Sequence, residues 1–156
     1  MPDDEEQQEE QEASAVPTDS REHLDLKTHA QINQNLCGFI EDIQDGYAKV
    51  RLVASEEMVV DKRGMIHAGF LFSAASFAAI AAINKPNVVL VVARCNFLAA
   101  LKVEDEVIFE AKAMQNTARK RAVTVEGTIG KIKVFDGEFS AVVTDRHTLS
   151  LNLIDE

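Results

Sequence analysis

Residues 66–83 read IHAGFLFSAASFAAIAAI, and this stretch decides the fold. Over these 18 residues there is no Asp, Glu, Lys or Arg. The length alone would suffice to cross a bilayer, but His67, Gly69, Ser73 and Ser76 interrupt the run, and no basic cluster or aromatic belt flanks it. We therefore predict a buried central helix and no membrane insertion, because a helix that is apolar on all sides needs cover around most of its circumference.

The sequence on both sides of this helix has the two-residue period of β-strands. Before the helix, residues 36–43 and 46–54 flank the turn residues Gln44 and Asp45, which predicts a strand pair. After the helix, four more strands are predicted over residues 88–98, 106–114, 121–129 and 131–144.

The predicted order is β-β-α-β-β-β-β, an α+β architecture in which a curved antiparallel sheet wraps one helix. Residues 88–98 are rich in valine, which is typical of a central strand. Asp136-Gly137 predicts a bulge inside the last strand. One helix on one sheet leaves a sheet face or edge without cover, so we expect a dimer.

Negative charge is concentrated at the N-terminus of the chain. Residues 1–12 hold seven acids and no base, which leaves about −3 of the net charge of −10 for the other 144 residues. We predict a disordered acidic tail over residues 1–20, a globular domain over 21–150 and a C-terminal tail over 151–156. Residues 21–34 predict a short amphipathic helix. The acidic tail and the lack of a basic recognition helix argue against a nucleic-acid partner.

The two cysteines, Cys37 and Cys95, both lie in apolar runs and are expected to be reduced thiols. No Cys-x-x-Cys motif or Cys/His spacing indicates a metal site. The N-terminus is acidic rather than basic and then apolar, which is not the pattern of a signal peptide. We therefore expect a cytoplasmic protein without a metal.

Two segments carry a resemblance to a known family. Residues 64–73, GMIHAGFLFS, resemble the signature of hotdog-fold acyl-CoA thioesterases, Gly-x-x-His-Gly-Gly followed by a helix with an acid nine positions after the histidine. Residues 86–90 and 96–106 resemble the strand ending in Phe-Leu and the loop that follows it in that family. The resemblance covers about residues 30–148. The pattern is also similar to the acyl-CoA-sensing domain of the bacterial fatty-acid regulator FapR and to hotdog proteins of Campylobacter and Helicobacter.

The resemblance implies a hotdog fold in which two long helices are wrapped by a continuous sheet across a homodimer, or across each half of a tetramer. It implies acyl-CoA as the ligand, bound at the dimer interface without a covalent cofactor. The pantetheine arm would run between the subunits, and the nucleotide would lie at the surface.

The departures from the family pattern shape the functional prediction. Ser76 stands nine positions after His67, where the family has Asp or Glu; Ala68 replaces the first glycine, and Glu104-Asp105 replaces the Gly-Asp of the loop. Hydrolysis needs a carboxylate as nucleophile or base. We therefore predict an acyl-CoA-binding protein that is non-catalytic or weakly catalytic. The alternatives are a thioesterase with a displaced acid or a water positioned by Asn and His, and a regulatory module that uses the acidic tail.

The candidate catalytic residues are His67, Asn35 and Ser76. With the N–H groups of Ala68 and Gly69, His67 would meet the thioester carbonyl, because a helix N-terminus offers unpaired donors and the positive end of a dipole. Each candidate also has a structural interpretation: His67 as a helix cap, Asn35 with Asn33 as turn chemistry, and Ser76 with Ser73 as small residues that allow close packing. In the functional interpretation Ser73 and Ser76 line the ligand cavity and orient a water.

Five further residues are candidate ligand contacts. Arg94 and Asn96 interrupt an apolar strand; they would either contact ligand or, for Arg94, pair with an acid such as Glu110 or Glu126. Arg119, Lys120 and Arg121 form a dense basic cluster that would either meet the phosphates of coenzyme A or form an exposed charged turn.

Overall fold

The computed structural model describes residues 23–114 and 118–151. It contains a one-turn helix α1 (Gln34–Cys37), the central helix α2 (Ala68–Ile83) and six strands: β1 (Phe39–Gln44), β2 (Tyr47–Val53), β3 (Val88–Phe97), β4 (Glu106–Ala113), β5 (Lys120–Ile129) and β6 (Ile132–Val143). Short 3₁₀ helices occupy Glu56–Met58 and Thr148–Ser150. The predicted acidic tail over residues 1–20, and all but one residue of the predicted C-terminal tail, lie outside the described residues.

The six strands form a single antiparallel sheet in the order β1-β2-β4-β5-β6-β3. The sheet curves around α2. Ten residues of this helix are buried, seven of them alanine or phenylalanine, and they share one core with Phe109, Phe135 and Phe139 of the sheet. This arrangement confirms the predicted hotdog fold with one buried central helix. Neither described helix is long and apolar enough to cross a membrane.

The two-residue period predicted the inward faces of the strands correctly. Ala48, Val50 and Leu52 of β2 are at most 1% exposed, while the alternate side chains of that strand are half-buried. In β4 the same alternation buries Val107 and Phe109. The buried faces of β2 and β4 form the surface against which α2 packs.

The predicted helix over residues 21–34 is wrong for the residues that the structure describes. Residues 23–33 are not helical, because their N–H groups bond to other parts of the fold: Leu24 N–H donates to the Ile43 carbonyl, and Lys27 N–H donates to Asn84 Oδ1. We call residues 23–28 the N-terminal strap. The helix begins only at Gln34 and ends at Cys37, because the next residue, Gly38, has a φ of +96°.

The same short helix corrects the predicted start of the first strand. Leu36 and Cys37 belong to α1, because Asn33 caps that turn, and β1 begins at Phe39. The missing side chain of Gly38 is also required for packing, since a Cβ there would lie 2.4 Å from Val50 Cγ1.

Strand β3 lies at the edge of the sheet and not at its centre, so this prediction is also wrong for the single chain. Among the described strands it pairs with β6 alone. Three of its apolar side chains are exposed to solvent: Val91 is 51% exposed, Val92 48% and Phe97 47%. The valine-rich composition is that of a strand with cover on both sides, and the protomer does not supply that cover.

The predicted bulge at Asp136-Gly137 is not present. Asp136 and Gly137 pair regularly with Asn96 and Cys95, and the register shifts in the two pairings of β6 fall between Leu90 and Val92 and between Gly127 and Thr128. Gly137 is accommodated for a packing reason, because a Cβ there would lie 3.0 Å from the ring of Phe139 and 3.2 Å from that of Phe135. Asp136-Gly137 therefore marks a tight aromatic contact inside one continuous strand.

Candidate functional site

An apolar groove opens at the N-terminal end of α2. Its volume is about 560 Å³. The groove is lined by Val60, Met65, Ile66, His67, Ala68, Leu71, Phe97, Leu98, Ala99, Ala100 and Leu101. No acid and no Lys or Arg is among these lining residues, so the groove suits an apolar chain, and His67 is its one titratable side chain.

The loop that carries His67 is held in place by backbone hydrogen bonds. Ile66 N–H donates to the Leu101 carbonyl at 2.9 Å, and His67 N–H donates to the Met58 carbonyl at 3.0 Å. These bonds fix the point at which the chain enters α2. His67 is the N-cap residue, with extended backbone angles, but its side chain makes no capping hydrogen bond.

The imidazole of His67 folds back over the first turn of the helix. A Cβ on Gly69 would lie 2.8 Å from both Cδ2 and Nε2 of His67, so the ring occupies the space that a side chain at Gly69 would take. The ring of Phe70 meets the imidazole edge-on at 6.2 Å between centroids. The imidazole is exposed and makes no hydrogen bond to a described residue.

The first N–H groups of α2 are open in the same place. No described residue accepts a hydrogen bond from the N–H of Ala68 or Gly69, as expected for the first turn of a helix, whose N–H groups have no intrahelical acceptor. The dipole of the helix adds a partial positive charge there. An exposed imidazole, two free N–H donors and an apolar groove therefore meet at one point.

Ser73 and Ser76 do not line this groove. The Ser73 hydroxyl donates to the Gly69 carbonyl at 3.0 Å, and the Ser76 hydroxyl donates to the Ser73 carbonyl at 3.0 Å. Both hydroxyl hydrogens are therefore engaged by the helix itself. Neither serine is hydrogen-bonded to a described base that would make it a nucleophile.

Asn35 is likewise not brought to the groove within one protomer. Asn33 Oδ1 accepts a hydrogen bond from Asn35 N–H at 3.0 Å and so caps α1, which is the turn chemistry weighed from the sequence. The side chain of Asn35 is exposed and is not among those that line the groove.

Arg94 and Asn96 lie together on the outer face of the sheet, in a shallow polar cleft of about 440 Å³. Asn96 Nδ2 donates to Asp136 Oδ1 at 2.8 Å, and Arg94 stands opposite Glu138 in the register of β3 and β6. The cleft does not connect to the lining of the His67 groove.

The ion pair of Arg94 with Glu110 or Glu126, one of the two interpretations that the sequence left open, is not formed among the described residues. Lys133 pairs with Glu126 at 3.1 Å, and the Tyr47 hydroxyl donates to Glu110 at 2.8 Å. These nearer polar groups occupy the two carboxylates that the sequence offered to Arg94.

The basic cluster at the start of β5 divides into residues with different surroundings. Arg119 pairs with Asp145 at 2.8 Å, and both side chains are more than 70% exposed. Arg121 instead lines a second cleft, of about 770 Å³, at the C-terminal end of α2. Lys27 and Lys85 line the same cleft, and sequence reasoning had missed both.

The one sequence signal that could have indicated this cleft is the helix stop at Asn84, beside Lys85. Asn84 is buried, and its backbone is in the left-handed conformation. Its Oδ1 accepts from Lys27 N–H at 2.7 Å, and its Nδ2 donates to the Asp25 carbonyl at 2.8 Å. Asn84 therefore fastens the N-terminal strap to the end of α2.

Neither cysteine is part of the groove. Cys37 and Cys95 are free thiols. Burial raises the pKa of both, and for Cys95 the carboxylate of Asp136 raises it further, so both thiols are weak nucleophiles near neutral pH. Within residues 23–114 and 118–151, no group of three His, Cys, Asp or Glu side chains is placed to hold a metal ion.

Fold and groove together define a hotdog domain, and comparison with solved structures gives its relatives. The chain is 40% identical to Cj0977, a sigma28-regulated virulence protein from Campylobacter jejuni, with a TM-score of 0.78 over 80% of this chain and 88% of that one. An uncharacterised protein from Pyrococcus horikoshii, PH1136, is 34% identical, with a TM-score of 0.80 over 82% of this chain and 98% of that one. A homologue of HP0420 from Helicobacter felis is 35% identical, with a TM-score of 0.73 over 78% and 88% of the two chains.

The chain belongs to the hotdog-fold family that includes these proteins. The resemblance to Campylobacter and Helicobacter hotdog proteins, inferred from residues 64–73 and 86–106, is thereby confirmed. No family model matches the chain.

A segment of a larger protein is also similar. A protein named methylthioribose-1-phosphate isomerase, from Aquifex aeolicus strain VF5, is 44% identical over 119 residues. The match covers 76% of this chain and 26% of that protein, so the chain spans about a quarter of the length of this curated relative.

Proposed function

We propose that this protein binds an acyl-CoA thioester, with the acyl chain in the His67 groove and the thioester carbonyl at the first turn of α2. The observation that carries the proposal is the convergence of an apolar groove, the free N–H groups of Ala68 and Gly69, and the exposed imidazole of His67. Two backbone donors at a helix N-terminus are suited to a carbonyl oxygen that carries partial negative charge. The apolar walls would bury the acyl chain by the hydrophobic effect.

The same geometry supports binding without efficient hydrolysis. A thioesterase needs a carboxylate as nucleophile or base, and none lies between Ile66 and Ile83 or among the residues that line the groove. Ser76, which takes the place of the family's acid, donates its hydroxyl to the helix backbone. The site would therefore polarise the thioester without a described group to deliver water to it.

Coenzyme A as the thiol component rests on the resemblance of the His67 segment to acyl-CoA thioesterases. A hypothetical thioesterase from Streptococcus pneumoniae, solved with coenzyme A, shares the fold at 19% identity and a TM-score of 0.62. That likeness establishes the fold alone, and the ligand remains our proposal. We also propose a cytoplasmic location, in keeping with the two free thiols.

We further propose that two copies of the chain associate through β3. This strand presents an unpaired edge and exposed apolar side chains at Val91, Val92 and Phe97. Unprotected edges of this kind pair with another strand, and a two-fold axis through the edge would join the two sheets into one. The second copy would supply the cover that the composition of residues 88–98 indicates and the protomer lacks.

The test is a paired measurement on one sample of the full chain. A panel of acyl-CoAs of increasing chain length is titrated by calorimetry while released thiol is followed with Ellman's reagent. We expect saturable binding that strengthens with chain length, and thiol release no faster than in buffer. The variant Ala68→Trp, which fills the groove from an exposed position, should abolish binding, and the absence of binding by the unmodified chain would refute the proposal.

Hydrolysis is the second candidate function, because the N–H groups and imidazole that bind a carbonyl would also stabilise a tetrahedral oxyanion. Rapid thiol release that His67→Ala abolishes would favour it. The alternative role for the acidic tail concerns residues outside those described; deletion of residues 1–20 without loss of any protein partner would argue against it.

A further inference from the structure

The cleft at the C-terminal end of α2 is basic, although the chain as a whole carries a net charge of −10. Its charged lining residues are Lys27, Lys85 and Arg121 against one acid, Asp45. None of the three basic side chains forms an ion pair with a described residue. Arg121 Nε donates to the Ala118 carbonyl, which leaves its charge uncompensated. Three cations without an acidic partner outweigh the roughly half negative charge that a helix C-terminus contributes, so the cleft suits an anion.

The basic cleft also has an apolar wall and a fixed frame. Leu24, Ile83 and Met114 contribute apolar surface, which suits an organic anion better than a simple ion. The backbone of Lys27 is held by Asn84 at 2.7 Å, and Lys85 follows Asn84 directly. Two of the three cations are therefore placed by one buried side chain.

Within one protomer the basic cleft lies far from the His67 groove. The groove is at Ala68 and the cleft at Ile83, and a helix of that length separates them by about 22 Å. The strands give the same result: Phe97 lines the groove at one end of β3, and Arg121 lies level with Leu90 near the other end. That difference of seven residues along β3 is about 23 Å.

Pairing of two β3 strands brings the His67 groove of one protomer closer to the basic cleft of the other. A two-fold axis perpendicular to the sheet makes the two β3 strands antiparallel and keeps both helices on the same side of the joined sheet. The exposed apolar side chains of each β3 are then covered by the other protomer. The Phe97 end of one β3 then lies beside the Val88 end of the other. Arg121 of the partner stands three strands from that point, on the order of 15 Å across the sheet.

We infer that the anionic end of the ligand is bound by Lys27, Lys85 and Arg121 of one protomer while its thioester occupies the His67 groove of the other. This inference rests on the proposed function and assigns its phosphate-binding residues. In the ligand a pantetheine arm separates the phosphates from the thioester, and the paired sheets provide a comparable separation between the two sites. Arg119 is excluded from this role because it already pairs with Asp145.

A first experiment separates the nucleotide end of the ligand from the acyl end. The triple variant Lys27→Gln, Lys85→Gln, Arg121→Gln is compared with the matched control Lys112→Gln, Lys131→Gln, Arg146→Gln, which removes the same charge from exposed positions outside the cleft. For an acyl-CoA that binds the unmodified chain, the cleft variant should lose roughly tenfold to a hundredfold in affinity, as expected for lost charge-assisted hydrogen bonds to phosphate. For the acyl-pantetheine with the same acyl group, which lacks the phosphates, both variants should bind like the unmodified chain.

A second experiment asks whether one ligand uses both protomers. The cleft variant and Ala68→Trp are co-expressed with different tags, and the mixed dimer is purified through both. Because one of its two sites combines an intact groove with an intact cleft, it should bind one acyl-CoA per dimer with the unmodified affinity, whereas neither variant alone does so.

Each failure has a distinct meaning. If the unmodified chain binds no acyl-CoA, the proposed function is wrong. If it binds acyl-CoA but the cleft variant matches the control, or the mixed dimer recovers no tight site, the inference is overturned while the proposed function stands. Purification of the chain as a monomer that binds acyl-CoA tightly would overturn it as well.

Discussion

The two ends of α2 differ in how their free backbone and polar groups are used. At the N-terminal end His67 is exposed, its side chain caps nothing, and the N–H groups of Ala68 and Gly69 bond to no described residue. At the C-terminal end Asn84 is 6% exposed, and its side chain holds the N-terminal strap through two hydrogen bonds.

We call the C-terminal end of α2, where the fold satisfies the polar groups of Asn84, the closed end, and the N-terminal end, where the N–H groups of Ala68 and Gly69 bond to no described residue, the open end. Polar groups that a folded chain satisfies internally contribute to stability, and groups that it leaves unpaired beside an apolar groove are available to a ligand. Changes at Asn84 should therefore act on stability, and changes at His67 and Gly69 should act on binding.

The largest effect is expected at the closed end. Asn84→Ala removes the acceptor of Lys27 N–H and the donor to Asp25, and it places alanine in the left-handed region at φ 50°. We expect the free energy of unfolding to fall by about 2–4 kcal/mol, measured by urea denaturation at a fixed protein concentration. His67→Ala, the matching change at the open end, should alter it by less than about 0.5 kcal/mol.

Asn84→Gly is the control that separates backbone strain from the lost hydrogen bonds. Glycine adopts the left-handed conformation freely, so this variant should recover about 1 kcal/mol relative to alanine. Equal effects of Asn84→Ala and His67→Ala would remove the distinction between the two ends.

The next effect concerns the chemistry of the open end. Ser76→Asp supplies an acid nine positions after His67, as in the thioesterase pattern, and should raise the rate of thiol release from a bound acyl-CoA by about a hundredfold. Ser73→Asp is the matched control, because it adds the same charge one turn earlier on the helix and should release no thiol. If Ser76→Asp is inactive although it folds and binds, the missing acid does not account for the absence of hydrolysis.

A smaller change with effects of opposite sign is expected at Gly69. An alanine Cβ there would lie 2.8 Å from two atoms of the His67 ring, which must swing away. Alanine also favours the helix over glycine by up to about 1 kcal/mol. We therefore expect Gly69→Ala to unfold at a higher urea concentration and yet bind acyl-CoA about tenfold more weakly.

The measurements for Gly69→Ala are urea denaturation and calorimetry on the same preparation. His67→Ala should show the same loss of affinity without the gain in stability. If Gly69→Ala binds with unchanged affinity, the position of the imidazole over the helix does not contribute to the site.

Local sequence patterns predicted most of the fold. The unbroken apolar run at residues 66–83 predicted the buried helix, and the alternation in residues 46–54 predicted the buried face of β2. Both signals depend on side chains a few positions apart, which is why sequence alone contains them. His67 was proposed as a site residue in the same way, since its motif is continuous in the chain.

What the sequence could not predict depends on distant partners. The amphipathic pattern of residues 21–34 did not reveal that Ile43 and Asn84 take the N–H groups of the strap. The composition of β3 predicted a strand with a neighbour on each side. It could not predict that a single protomer leaves this strand at the edge of the sheet. Lys27 and Arg121 are nearly a hundred residues apart, so only the fold brings them to one cleft.

The smallest predicted effect is a pH dependence at His29, which follows the N-terminal strap. Burial lowers the pKa of His29, so the folded state favours the neutral imidazole more than the unfolded state does. The stability linked to this group is therefore present above about pH 6.5 and is lost as the pH falls below it. His29→Asn tolerates the residue's φ of 52° and cannot protonate in this range. Urea denaturation at roughly pH 8 and pH 5 should show a smaller loss of stability on acidification for His29→Asn than for the unmodified chain. Identical losses would show that His29 does not contribute to the pH dependence of the free energy of unfolding.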